Sequence, residues 1–161
     1  MSKSGTDVAE EHGIRRSSHW PTVEKHFKQA NPFCLACGKD KPQHPADIQV
    51  HHRIPFHFCI LLGRPDLELD PRNLVGLCET ETGPQLPNHH LLLGHLDDFK
   101  SYNVEVLDDA SVTFAGLSKE DILASAPWIA KKANKPVAWA QMTDDGKKAL
   151  RKLMDTWYPV S

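Results

Sequence analysis

Ile48-Gln49-Val50-His51-His52-Arg53-Ile54-Pro55 is the stretch from which the fold is read. From Ile48 to Arg53 apolar and polar residues alternate, the period of a half-buried strand. Two adjacent histidines close that strand. A period of two sends their rings to opposite faces, so both serve one centre only if the strand ends or twists there. Ile54-Pro55 is consistent with such an end. An imidazole titrates near neutrality, so one ring can take a proton from water while the other holds a divalent ion.

Downstream, Asn73-Leu74-Val75-Gly76-Leu77-Cys78 reads as a second short strand. Between the strands, Pro55 to Pro71 reads as a long irregular connection holding Gly63-Arg64-Pro65 and Asp70-Pro71. Loops of that length in a compact domain are usually functional. Asn73 offers both a donor and an acceptor to nearby backbone. At the head of the second strand it can tie down the 53–72 loop and so orient His52; the plainer reading is a turn residue. Asn88 is a plausible cap for a helix running to about Ser101. His90 and His95 would add metal ligands. On an α-helix, however, five residues are a rotation of roughly 140°, so the two do not share one face.

Upstream, Cys34-Leu35-Ala36-Cys37-Gly38 reads as a zinc-knuckle turn, with Gly38 free to take a positive φ. Cys34 and Cys37 supply two corners of a zinc tetrahedron, and Cys78 is the natural third. The fourth corner falls to His89 or to Cys59. His89 is the better candidate, because Cys59 lies in the apolar run Phe58-Cys59-Ile60-Leu61, where a buried inert thiol fits. Six of the ten histidines lie between 51 and 95, which favours a metal centre over scattered surface residues.

Outside this region the chain says less. Residues 1–18 are polar and read as a disordered arm. His19 to Ala30 reads as a short helix with Pro21 in its first turn, broken at Asn31-Pro32. Lys39 to Pro45 and the stretch punctuated by Thr82-Gly83-Pro84 and Pro87 read as loops. Val104 to Phe114 is mixed. Ser118 and Thr143 look like helix caps, the latter opening a final helix with Leu150, Leu153 and Trp157 at a helical period.

At 161 residues and 40% apolar content the chain can bury one modest core. Net charge is −2, unlike a dedicated nucleic-acid coat. Arg15 to Lys41 nevertheless carries six basic and two acidic residues, and Lys131 to Lys152 seven and two. Such ends could track a phosphate backbone or be solvated faces. Without a signal-peptide core or an apolar run long enough to span a membrane, the expected setting is reducing and cytoplasmic. Cys-x-x-Cys there favours metal or redox chemistry over a disulfide; no thioredoxin-like pattern surrounds it.

Residues 34 to 103 resemble the HNH endonucleases, of the treble-clef, ββα-metal (His-Me finger) class. The resemblance rests on Cys34 to Cys37, His51-His52-Arg53-Ile54-Pro55-Phe56-His57, Leu67-Glu68-Leu69-Asp70-Pro71-Arg72-Asn73-Leu74, Leu77-Cys78-Glu79, His89-His90-Leu91-Leu92-Leu93-Gly94-His95 and Ser101-Tyr102-Asn103. It implies an α+β fold: a small ββα-metal core, a zinc-binding treble clef and helical extensions. The parts would be an N-terminal arm and short helix (1–30), the nuclease domain (31–103) and a mostly helical C-terminal extension (104–161).

The resemblance also implies roles. His52 matches the general base and Asn73 the orienting asparagine. His51, His90 and His95 match ligands of a catalytic divalent ion, Mg²⁺ or else Mn²⁺, Ni²⁺ or Zn²⁺. Cys34, Cys37 and Cys78 match structural zinc ligands, and His89 stands where the family has a fourth cysteine. The implied reaction is hydrolysis of DNA phosphodiester bonds, with double-stranded DNA as partner. Arg53 and Arg72 could contact flanking phosphates or simply serve surface solubility. Two rival readings are a zinc-stabilised nucleic-acid-binding module without catalysis and an RNase or toxin nuclease.

Overall fold

A computed structural model describes residues 9–10, 12–38, 47–79 and 87–160. The loops expected over 39–45 and around 82–84 lie outside the described residues, as does the start of the chain. The architecture is α+β. A two-stranded antiparallel sheet pairs β1 (Ile48–His52) with β2 (Leu74–Cys78), in a register that sets His52 opposite Leu74 and Ile48 opposite Cys78. Helix α1 (Trp20–Ala30) precedes the sheet, with proline in its first turn as expected. It ends where Asn31 caps back onto the Phe27 carbonyl through both its backbone and side-chain N–H groups. Trp20 packs with Val50 and Leu74, so α1 covers one face of the sheet.

The connection between the strands is not irregular. It carries α2 (Phe56–Leu61) and two 3-10 turns, Pro65–Glu68 and Pro71–Asn73. Phe58 and Cys59 turn inward against Ile54 and Leu67, and this burial makes a helix from a stretch framed by prolines. Cys59 is therefore packed away from the other cysteines, and burial pushes its thiol well above the ordinary range.

The helix expected from Asn88 to Ser101 is also different. The Asn88 side chain does cap, accepting from Leu91 N. Only one wide π-helical turn follows, His90–Gly94. Leu96 and Asp97 then adopt positive φ values of 52° and 62°. A leucine held there is strained by about 1–3 kcal/mol. Lys132 Nζ donates to the Leu96 carbonyl at 2.8 Å and Asp97 N donates to Leu91 O at 2.9 Å, which holds the reversal.

The C-terminal segment completes the cores rather than hanging from them. It comprises α3 (Val106–Asp108), which widens into a π turn at Asp109–Thr113, then α4 (Lys119–Ala124), α5 (Ala126–Ala133) and α6 (Asp144–Trp157). Ser118 and Thr143 cap α4 and α6 as expected. Val106, Phe114, Ile122 and Trp128 share a core with Ile48, Leu77 and the knuckle cysteines. Leu150 and Met154 of α6 pack on Phe58 and Tyr102. Of the expected N-terminal arm, residues 9–10 and 12–18 are described and do not stand free: Ala9 is buried and Arg16 pairs with Glu68. No helix among the described residues is long and apolar enough to cross a membrane.

Candidate metal centres

The first cluster forms where the knuckle meets the end of β2. Gly38 takes φ +96° and donates its N–H to the Cys34 carbonyl, which closes the turn. His89 Nδ1 stands 3.5 Å from Cys34 Sγ, 3.4 Å from Cys37 Sγ and 3.3 Å from Cys78 Sγ, and the Cys37 and Cys78 sulfurs are 4.0 Å apart. A tetrahedral zinc with ordinary bond lengths requires about 3.6 Å between N and S and about 3.8 Å between two sulfurs. All four residues are buried. The neighbouring Cys37 and Cys78 groups drive the Cys34 thiol far down, and the same contacts drive Cys78 up. Three cysteines this close can all be thiolates only around a cation. The Cys₃His cluster fits a structural metal such as zinc.

The second cluster is His51, His90 and His95, also buried, with one ring nitrogen from each within 4.8 Å of the others. The π turn explains how. An i→i+5 turn brings residues five apart nearly into line, which an α-helix does not. His95 Nδ1 donates to the Ser101 carbonyl at 2.9 Å, so its Nε2 carries a lone pair. That lone pair faces His90 Nε2 at 3.2 Å. On the far side of the His90 ring, Glu79 Oε1 lies 3.8 Å from Nδ1. His51 meets both rings edge-on, and its buried Nε2 has no hydrogen-bond partner among the described residues. Burial, then the neighbouring histidines, hold His51 well below its usual pKa; burial takes His95 to about 3. Imidazoles with converging ring nitrogens are the donor set a divalent transition metal accepts.

His52 lies on the other side of the strand end, against Trp20. It still borders the same cavity, about 130 Å³, as His51, His90, His95, Arg16 and Glu79. Its Nε2 is 2.8 Å from the Glu68 carbonyl. A carbonyl only accepts, so Nε2 carries the hydrogen and Nδ1 is left as the acceptor of the ring. Burial, reinforced by Arg16, takes its pKa down to about 3. At neutral pH the ring is therefore uncharged.

No protein-family model, curated protein or solved structure matches the chain.

Asn73 is fully buried. Its Oδ1 accepts from Ile54 N at 3.0 Å, and its Nδ2 donates to Ile54 O at 3.0 Å and Leu67 O at 3.2 Å. It thus clamps both ends of the α2 loop, the loop that delivers the Glu68 carbonyl to His52. The Ser101-Tyr102-Asn103 motif does the same for the π turn: Asn103 Nδ2 donates to Leu93 O and Asn103 N to Gly94 O.

The two arginines expected on flanking phosphates each have partners within the protein. Arg53 donates to the Val104 carbonyl and lies over the Trp157 ring, and Arg72 is paired with Asp70. Neither lines the cavity. Among the residues that border the cavity, Glu79 and Arg16 had no role from sequence. Glu79 follows Cys78 directly, and that adjacency was a usable signal. Arg16 sits in a polar segment with no motif around it.

Proposed function

We propose that the chain is a metal-dependent endonuclease of the HNH type that hydrolyses phosphodiester bonds of double-stranded DNA. The observation that carries this reading is the shared cavity: a histidine with its tautomer set by a backbone carbonyl, beside three imidazoles with converging nitrogens. In this reading β1, β2 and the His90–Gly94 turn form the ββα-metal core, and the Cys₃His cluster is its structural zinc site.

A divalent ion held by His51, His90 and His95 would supply Lewis-acid charge to a phosphoryl oxygen and to the departing 3′ oxygen. The chain's own residues do the rest. His52 Nδ1 takes the proton of the attacking water. An anionic phosphate against this ring raises its proton affinity from the low value burial imposes, so the base strengthens when substrate is bound. Glu68 O keeps the Nε2–H tautomer, and Asn73 keeps Glu68 in place. The Ser101 carbonyl orients His95. Glu79 is the group available to orient His90 in the same way.

The test is incubation with supercoiled plasmid, with and without added Mg²⁺ or Mn²⁺, alongside a structured RNA. Metal-dependent nicked or linear plasmid is expected. Binding without cleavage would favour a zinc-stabilised binding module, and cleavage of RNA alone would favour the ribonuclease.

A further inference from the structure

Arg16 enters the cavity wall from the segment ahead of α1. Its guanidinium carbon lies 3.8 Å from the centre of the Phe56 ring and 4.2 Å from that of Trp20. Nη1 is 3.4 Å from Glu68 Oε2, and the same carboxylate accepts from Ser17 N at 3.1 Å. Aromatic faces and a carboxylate together hold a cation on a largely water-free wall. A guanidinium carries five donors in a planar fork, so one that is already paired can still take a phosphate. Glu68 also supplies the carbonyl that fixes His52. One residue therefore registers both the base and the cation. The same cavity is bordered by the carboxylates of Glu24 and Glu79, which repel an anion and leave Arg16 as its point of attachment.

We propose that Arg16 is the phosphate-binding residue of this cavity, with Glu68 as its positioning residue. The substrate, a DNA phosphodiester, rests on the nuclease reading. A guanidinium fork takes two non-bridging oxygens of one phosphate at once, which lysine cannot do. As the phosphorane forms, those oxygens gain charge and the contact strengthens.

Two measurements on the full-length chain test this. The first is the salt dependence of binding to a short DNA duplex, by fluorescence anisotropy in a His52→Ala background without added divalent ion. Arg16→Ala should lower the slope of log affinity against log salt by about 0.9, the value for one phosphate contact. Arg16→Lys should keep the slope. The second is single-turnover plasmid nicking with His52 intact. Arg16→Ala should lose about 100-fold or more, the scale of one charge-stabilising donor, and Arg16→Lys should recover part of that. If Arg16→Ala fails to fold, Arg16→Gln, which keeps the stem over Phe56, is read in its place. A folded variant with an unchanged slope and nicking within about threefold of wild type, against the loss expected for such a donor, would overturn the proposal. If the wild type binds but never cuts, the nuclease reading falls, and the slope alone decides Arg16.

Discussion

Gly94 lies against the ring of His51: a Cβ on Gly94 would stand 3.0 Å from His51 Cε1 and 3.2 Å from both ring nitrogens. The π turn and β1 approach this closely only because residue 94 has no side chain. Gly94→Ala is expected to displace the His51 ring, cost about 1–3 kcal/mol by overpacking, and abolish most metal-dependent nicking. Zinc content should stay at the wild-type level, since the cysteines are untouched. Thermal melting, zinc analysis and the plasmid assay on this variant check it.

Asn73 gives a stability prediction. Asn73→Ala strips partners from Ile54 N, Ile54 O and Leu67 O, all inside the fold. At about 1–2 kcal/mol for each of the three buried groups left unpaired, a loss of roughly 3–6 kcal/mol is expected. Urea unfolding measures it. A change below about 0.5 kcal/mol, the range of ordinary surface substitutions, would show that the clamp is not needed.

His89 and His90 are neighbours in sequence but belong to different clusters. His89→Ala should lower both zinc content and melting temperature, because metal binding is coupled to folding. His90→Ala should retain both and lose nicking. The opposite pattern would mean the two assignments are exchanged.

The Cys₃His cluster and both strands were legible in the sequence. Cys-x-x-Cys, a strand-ending cysteine and a following histidine are local patterns, and β1 and β2 announce themselves by alternation. Asn73 was legible as an amide able to tie the loop to nearby backbone, with a plain turn residue as the other reading. The π turn was not: the spacing of His90 and His95 contradicts an α-helix, and nothing local signals the wider turn that resolves it. Helix α2 was hidden because Pro55 and the Gly63-Arg64-Pro65 turn suggest a loop, while its stability comes from burial against α6, about 90 residues away, as the Arg151–Leu62 bond illustrates. Helix α5 is held by distant contacts too, including Trp128 Nε1 donating to Leu92 O. Arg16 takes its place from Phe56 and Glu68, both remote in sequence, together with the nearby Trp20.

Glu79 is a positioning residue in this account. His90 holds its carboxyl below the usual carboxylate range, so it is charged at neutral pH. Glu79→Gln should weaken binding of Mn²⁺ or Ni²⁺ at the histidine cluster by about 10–100-fold, the usual effect of removing a carboxylate behind a metal-bound histidine. Calorimetric titration of the zinc-loaded protein reads this without reference to cleavage. Equal affinities would remove Glu79 from the site.

The most direct test of the central claim is the nicking rate of His52→Ala on supercoiled plasmid with Mg²⁺ or Mn²⁺, with zinc content and circular dichroism measured on the same preparation. A fall of about 100-fold or more is expected, the lower bound for loss of a general base, with zinc content and fold retained. Metal-dependent nicking at close to the wild-type rate by a folded, zinc-loaded His52→Ala protein would contradict it.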